Sequence, residues 1–375
     1  MGVGFGVGAK LLVFQKMRFL MAASAISVAV IIMYAELGFF YGVLDSQTNI
    51  TELVRGQLVV MHKTRTHLNK WNTLSRISLQ QIEALPQVKE VIPIYKGGIQ
   101  FTNLETNKTS RIIGYAFRPD ALPLKLGNAE LIARQLKQPH TVMFDSRSRA
   151  IYGDIKVNQK IELDGKIFRV GGFVKLGPNL VNDGTVILSD GDWLKGNYNK
   201  NPIMGVVRLK QGSNVNVVKN KIEALLLAEA VVFTPGGLKE REVFFTIRAA
   251  PIGIIFGIGL LAGIVTGISI CYQVLYNTIS DNTKQFATLK AMGFSNIYLL
   301  LLILEQAILL SVFGFIIGLA LSFVLYDIIS TQTALIIQFT WLRSLFIFSL
   351  TTGMCIVAGF LAVRRITRMQ PAELF

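Results

Sequence analysis

Long oily runs and one long mixed stretch divide the chain, and that division predicts most of its architecture. Four runs, 19–43, 252–276, 297–326 and 345–363, are apolar over the roughly 20 residues a helix needs to cross a bilayer. Between the first and second lies a mixed region, 44–251, where apolar positions recur at strand and helix periods. "QLVVMH" from Gln57 suits a strand, "SLQQIEAL" from Ser78 suits a helix with a Ser78/Gln81 capping box, and "VKEVIPIY" from Val88 returns to strand. "IMGVVRLK" from Ile203, "NVNVVKNKIEALLLAEA" from Asn214 and "VVFT" from Val231 repeat that order. Two such units flanking an insertion predict a ferredoxin-like α+β subdomain split in sequence. Within the insertion, "KIELDGKIFRV" sets Asp164 and Gly165 between two alternating runs, a hairpin signal, so a β-rich insert is expected over about 141–190. The fold class is therefore an α-helical membrane protein with four transmembrane helices plus an extracytoplasmic α+β domain.

Composition supports a membrane as solvent. The 375 residues are 51% hydrophobic with a mean hydropathy of +0.48, which excludes an ordinary soluble class. The net charge of +15 does not point to nucleic acid, because 29 of the 38 Lys and Arg are scattered among 18 acids between Asp45 and Arg248. Cys271 and Cys355 both fall in apolar runs, leaving no disulfide framework or paired zinc motif in the mixed region. Lys10, Lys16 and Arg18 precede the first run, as in a signal peptide. That run exceeds a signal core of about 7 to 15 residues and lacks a small-x-small cleavage site, so an uncleaved span fits better. Lys284 and Lys290 flank the second and third runs, and Arg364, Arg365 and Arg368 follow the fourth, whereas the 327–344 loop carries only Arg343. The positive-inside rule then puts the 1–18 leader, the 277–296 segment and the 364–375 tail in the cytoplasm, with 44–251 outside.

Several positions inside the runs are candidates for more than solvation. Gly259, Gly263 and Gly267 repeat every four residues, as do Gly314 and Gly318, a pattern that lets helix backbones approach; glycine is also simply common in membrane helices. Glu36 and Glu305 interrupt apolar runs, and an intramembrane carboxylate is a functional candidate by default. The competing readings place Glu36 at the outer interface and turn Glu305 toward the bundle. Soluble chemistry is sparse. "GVGFGVGAK" at the N-terminus fails as a Walker loop, because Ala9 separates Gly8 from Lys10 and Leu11 follows. "HKTRTH" from His62 matches no zinc spacing and reads as solvated basic surface, and neither GxSxG nor HExxH occurs. No catalytic residue, metal site or cofactor bound by this chain is expected.

The 277–296 segment holds Phe286, Leu289 and Met292 at spacing three, one side of a short helix that Gly293 can end in a left-handed conformation. Such a side fits a partner's groove; a face resting on the bilayer surface or on neighbouring spans is the alternative. "FATLKAMGFSNIYLLLLILEQAILL" and the closing "RRITRMQPAELF" resemble the C-terminal region of the FtsX and MacB class of ABC-exporter permeases. "YAELGFFYGVLDSQ", "PQVKEVIPIY", "FDSRSRAIYG" and "TLKAMG" are similar, more narrowly, to the DevC group, membrane subunits of DevBCA-type exporters. The resemblance, from about Lys16 to Phe375, implies a homodimer in a bacterial inner (plasma) membrane with its large domain in the periplasm. It also implies a separate DevA-like ATPase that carries ATP and Mg, a DevB-like membrane-fusion protein, a TolC-like duct and a lipid-like cargo, glycolipid by analogy. It maps Lys284, Gln285, Phe286, Leu289, Lys290, Met292 and Gly293 onto the ATPase-coupling segment. Gln285 stands where the family usually has Glu, and the leader is glycine-rich where the family tends to have a surface helix. A lipoprotein-releasing permease, an FtsX-like regulator of a cell-wall hydrolase, and an ion-coupled transporter dependent on Glu305 are the rival readings.

Overall fold

The structure is a computed structural model that describes residues 16–366 except Leu180, residues 227–228 and 249–251, Ala334 and Ile336. The glycine-rich leader with Lys10 and the tail with Arg368 lie outside the described residues. The chain order is α1 (Lys16–Glu52), β1 (Leu58–His62), α2 (Arg76–Glu83), β2 (Val88–Asn103), β3 (Lys108–Phe117), α3 (Ala129–Leu136) and β4 (Thr141–Asp145). It continues β5 (Lys160–Leu163), β6 (Lys166–Val174), β7 (Thr185–Ser189), α4 (Asp190–Lys195), β8 (Met204–Leu209), α5 (Val215–Leu226), β9 (Ala230–Phe233) and α6 (Pro235–Arg248). It closes with α7 (Ile252–Asp281), α8 (Thr283–Ala291), α9 (Asn296–Thr333) and α10 (Trp341–Ile366). Two compact units result: a helical unit of α1 up to Tyr41, α7, α8, α9 up to Ile329, and α10; and an α/β unit of Gly42–Pro251 with Ser330–Ile336.

In the α/β unit the split ferredoxin-like subdomain is present. Strands run in the order β2-β8-β1-β9, and every neighbouring pair is antiparallel. One face packs on α2 and α5 through Leu58, Val60, Leu79, Val207 and Ile222. The helix cap differs from the sequence reading. Ser75 is the N-cap, its Oγ accepting from Ile77 N–H at 3.1 Å. Ser78 lies inside α2, where its hydroxyl donates to Glu229 Oε2 at 3.0 Å, and so cannot cap.

The insert is larger than the expected 141–190. β2, β3, β7, β4, β6 and β5 pair in sequence around a closed ring. Alternate residues of all six strands, among them Phe101, Ile112, Phe144, Leu163, Val170 and Leu188, fill one common core with Trp193. β2 is a single strand whose first part pairs with β8 and whose second part pairs with β3 and β5. The handover lies between Ile94, paired with β8, and Tyr95, paired with β3, where the expected strand 88–95 stops before Lys96, Gly97 and Gly98 but β2 runs on to Asn103. Asp164 (φ 47°) and Gly165 (φ 78°) make the β5–β6 hairpin turn, the backbone that Asp-Gly favours.

Among the described residues, four helices are long and apolar enough to cross a membrane: Phe19–Glu52, Ile252–Asp281, Asn296–Thr333 and Trp341–Arg364. All four run past the apolar windows that predict them.

Candidate functional site

Both glycine ladders face α1. A Cβ on Gly314 would come 2.6 Å from Ile26 Cγ2, and one on Gly318 would come 2.6 Å from Val30 Cγ1 and 3.1 Å from the Ser27 carbonyl oxygen. On α7, Gly267 meets Ala29 Cβ at 3.2 Å, Gly263 meets Ile32 at 3.4 Å, and Gly259 meets the Glu36 carboxyl at 2.5 Å. Partner numbers rise along α9 and fall along α7. Thus α9 runs parallel to α1 and α7 antiparallel, as successive crossings of one bilayer require. Glu36 is half-buried with its carboxylate against Gly259, whose missing side chain makes room for it. Glu305 is half-buried nine residues before Gly314. At about 1.5 Å per residue it lies level with the start of α1, so the two carboxylates do not form one site.

The segment between α7 and α9 contains the expected short helix, α8. Gly293 ends it at φ +88°, with Gly293 N–H donating to Lys290 O at 3.1 Å and Phe294 N–H to Leu289 O at 3.2 Å. The apolar side of Phe286, Leu289 and Met292 is not one protruding knob. Phe286 is 6% exposed and shares a buried cluster with Ile279, Leu299 and Leu302, and Leu289 packs on that cluster. Met292 is 62% exposed, beside exposed Lys284, Gln285 and Thr288, while Lys290 is half-buried. Burying a phenyl ring gains about 1.5–3 kcal/mol, and the neighbouring helices supply that contact. Phe286 thereby anchors α8 and leaves a polar strip with one thioether outward.

A second cluster, in the α/β unit, was not visible in the sequence. Arg65, placed by the sequence reading on a solvated basic surface, is fully buried. Its guanidinium donates only to backbone carbonyls, of Ile203 at 2.7 Å and of His67 and Leu68. Lys96 stands opposite Tyr115 in the β2–β3 register and is 5% exposed. Its ammonium donates to Asn69 Oδ1 at 3.1 Å and lies 5.5 Å from the ring centres of both Trp71 and Tyr115. Glu242 on α6, also buried, accepts from Leu68 N–H at 2.9 Å, and Arg241 donates to the Arg65 carbonyl at 2.5 Å. His67 in the same loop stacks on Phe245 at 4.3 Å.

Burial, and then Arg65, push the Lys96 ammonium down to about 7; burial likewise lowers Arg65 to about 10 and raises the Glu242 carboxyl. For Lys96 the unfolded chain binds more protons than the folded one between about pH 7 and its ordinary 10.5. Stability should therefore rise with pH across that window. Urea unfolding of the full chain, followed by tryptophan fluorescence, should show a gain of roughly 2–4 kcal/mol between pH 7 and 10. In Lys96→Met, whose side chain nearly matches lysine in length, that rise should vanish and stability at pH 6 should increase. A wild-type profile that falls over this range would contradict the assignment.

Comparison with known families places these features. Residues 19–225 match the MacB-like periplasmic core domain family, and residues 254–371 match the FtsX-like permease C-terminal family. An ABC transporter permease of Methanocaldococcus jannaschii, itself uncharacterized, is 23% identical over 327 residues, covering 78% of either chain. The chain belongs to the MacB/FtsX-type ABC transporter permeases.

Among solved structures, the periplasmic region of MacB from Actinobacillus actinomycetemcomitans is 13% identical, with 50% of this permease and 92% of that chain covered at a TM-score of 0.39. The extracellular domain of the noncanonic ABC-type transporter YknZ from Gram-positive bacteria is 10% identical, with 48% and 99% covered at 0.35. In this permease α8 and the α9 glycines fall in the FtsX-like match. Arg65 and Lys96 fall in the MacB-like match, and Glu242 lies between the two. An ABC transporter permease implies an ATPase partner.

Proposed function

We propose that this permease transmits the movement of a separate ATPase through the membrane to its α/β domain, driving export of a lipid-like cargo as a DevC-type subunit. The observation that carries the reading is the outward strip of α8, Lys284, Gln285, Thr288 and Met292, on a helix whose Phe286 is fixed in the bundle. A strip anchored in this way moves with α7 and α9 rather than independently. Both glycine ladders bring those helices against α1, so a push on α8 reaches the whole bundle, a two-state element biased at one end. On this reading both termini and α8 are cytoplasmic, and the α/β domain is periplasmic at an inner membrane. Two copies pair around two ATPases, which hold the ATP and Mg, and a DevB-like fusion protein with a TolC-like duct completes the route for a glycolipid-type cargo.

Met292→Asp tests the contact without touching the core. The permease should insert and fold normally, while copurifying ATPase falls by at least about tenfold, a loss on the order of 1.4 kcal/mol. Unchanged ATPase recovery would remove the contact. Phe286→Asp is the wrong probe, because it buries a carboxylate in the bundle and loses the fold along with the partner.

A further inference from the structure

The cluster around buried Glu242 is short of negative charge: Arg65 and Lys96 are buried cations, half-buried Arg241 adds a third positive charge, and among the described residues Glu242 is the one carboxylate with them. Beside it the α/β domain has a cleft of about 370 Å³ lined by Trp71, Thr73, Lys96, Gly98, Arg111 and Asn199. That volume is within the roughly 300–1,000 Å³ typical of small-molecule sites. The cleft has a sequence cause. Side chains alternate along β2, so Gly98 shares its face with Lys96 and leaves a gap where a side chain would stand. The Arg111 guanidinium lies over that gap, since a Cβ on Gly98 would come 2.5 Å from its Nε. Among the described residues neither Lys96 nor Arg111 forms an ion pair. The indole of Trp71 is 49% exposed at the same cleft.

We propose that this cleft binds an anionic group carried on a sugar-like ring, the anion held between Lys96 and Arg111 and the ring lying on the Trp71 indole. Two cations that form no ion pair among the described residues supply charge-assisted donors for a phosphate or carboxylate. An exposed indole supplies an apolar face that a pyranose ring covers and a bare ion does not. A phosphate at Lys96 also offsets the surplus positive charge of the cluster, favouring the protonated amine. The charged and titratable groups around that amine are Arg65, Arg241, Glu242, Tyr115 and His67. Binding should therefore weaken as pH rises from 6.5 to 8.5. The site is independent of the α8 contact, and either can fail alone.

Calorimetric titration of the full chain in detergent with glucose 6-phosphate tests it, with glucose and inorganic phosphate as partial probes and lysophosphatidylinositol as the lipid-borne form. Glucose 6-phosphate should bind more tightly than either partial probe. Arg111→Gln and Lys96→Met should each weaken binding by about tenfold or more, and Trp71→Ala should bring it close to that of phosphate. Arg111 and Trp71 are at the surface, so those variants should keep the wild-type near-ultraviolet spectrum and read binding alone. Capture of lysophosphatidylinositol but not glucose 6-phosphate would identify a lipid-borne ligand of the same chemistry. Equal binding of glucose, unchanged affinity in both Arg111→Gln and Trp71→Ala, or no heat with any probe would overturn the proposal.

Discussion

Replacing Glu242 with leucine should destabilise the α/β domain by about 3–5 kcal/mol, the penalty for removing one member of a buried charge group. Among the described residues the carboxylate is the one negative charge set against buried Arg65 and Lys96 and half-buried Arg241, and its loss leaves the two buried cations in an interior that cannot hydrate them. It also strips the acceptor from Leu68 N–H, a buried donor whose desolvation costs roughly another 1–3 kcal/mol if unmet. Glu242→Gln separates the two contributions, because the amide oxygen still accepts from Leu68 while the charge is gone. Urea titration of the full chain should rank the variants wild type, Gln, Leu. Adding Lys96→Met to Glu242→Leu should recover part of the loss, since the two residues share one cluster and their effects should not add. A Glu242→Leu variant within 0.5 kcal/mol of wild type would show that the carboxylate does not hold these cations.

The distance between those partners along the chain explains why the sequence hid them. Leu68 and Glu242 are 174 residues apart, and Lys96 lies within β2 with no periodic mark of its burial. In a domain with many scattered lysines and arginines, a buried cation resembles a solvated one until the fold closes over it. The ferredoxin-like units were legible for the opposite reason: strand, helix and strand follow within a few dozen residues, and each shows its period directly. The Asp164-Gly165 turn was legible because its backbone demand selects the residues. The barrel was not, because Lys96, Gly97 and Gly98 end the strand pattern at Tyr95, whereas β2 continues through them to partners β3 and β5. At α8 the three-residue spacing identified an apolar side correctly but carried no information on what covers it. Phe286 faces its own bundle and Met292 faces outward.

The glycine ladders were read from spacing alone, and they carry the second large effect. Gly318→Leu should weaken the helical unit by about 1–3 kcal/mol and lower the yield of monodisperse protein in detergent. In lipid no hydrophobic force draws helices together, so contact rests on close packing that small residues permit. A leucine at 318 needs space already held by Val30 Cγ1 and by the Ser27 carbonyl oxygen. The methyl could rotate away, but the carbonyl belongs to the backbone of α1 and moves only if the helices part. Gly318→Ala should therefore show a smaller loss in the same direction. Gly257, also on a spanning helix, has nothing within 4 Å of its Cβ position, and Gly257→Ala should be neutral or slightly stabilising, as alanine is the better helix former. Unfolding in a graded denaturing detergent, followed by circular dichroism, should order the variants Gly257→Ala, Gly318→Ala, Gly318→Leu from most to least stable. If Gly257→Ala and Gly318→Leu lose equally, glycine acts in these helices through backbone flexibility, and the close approach of α9 to α1 is not what holds the bundle.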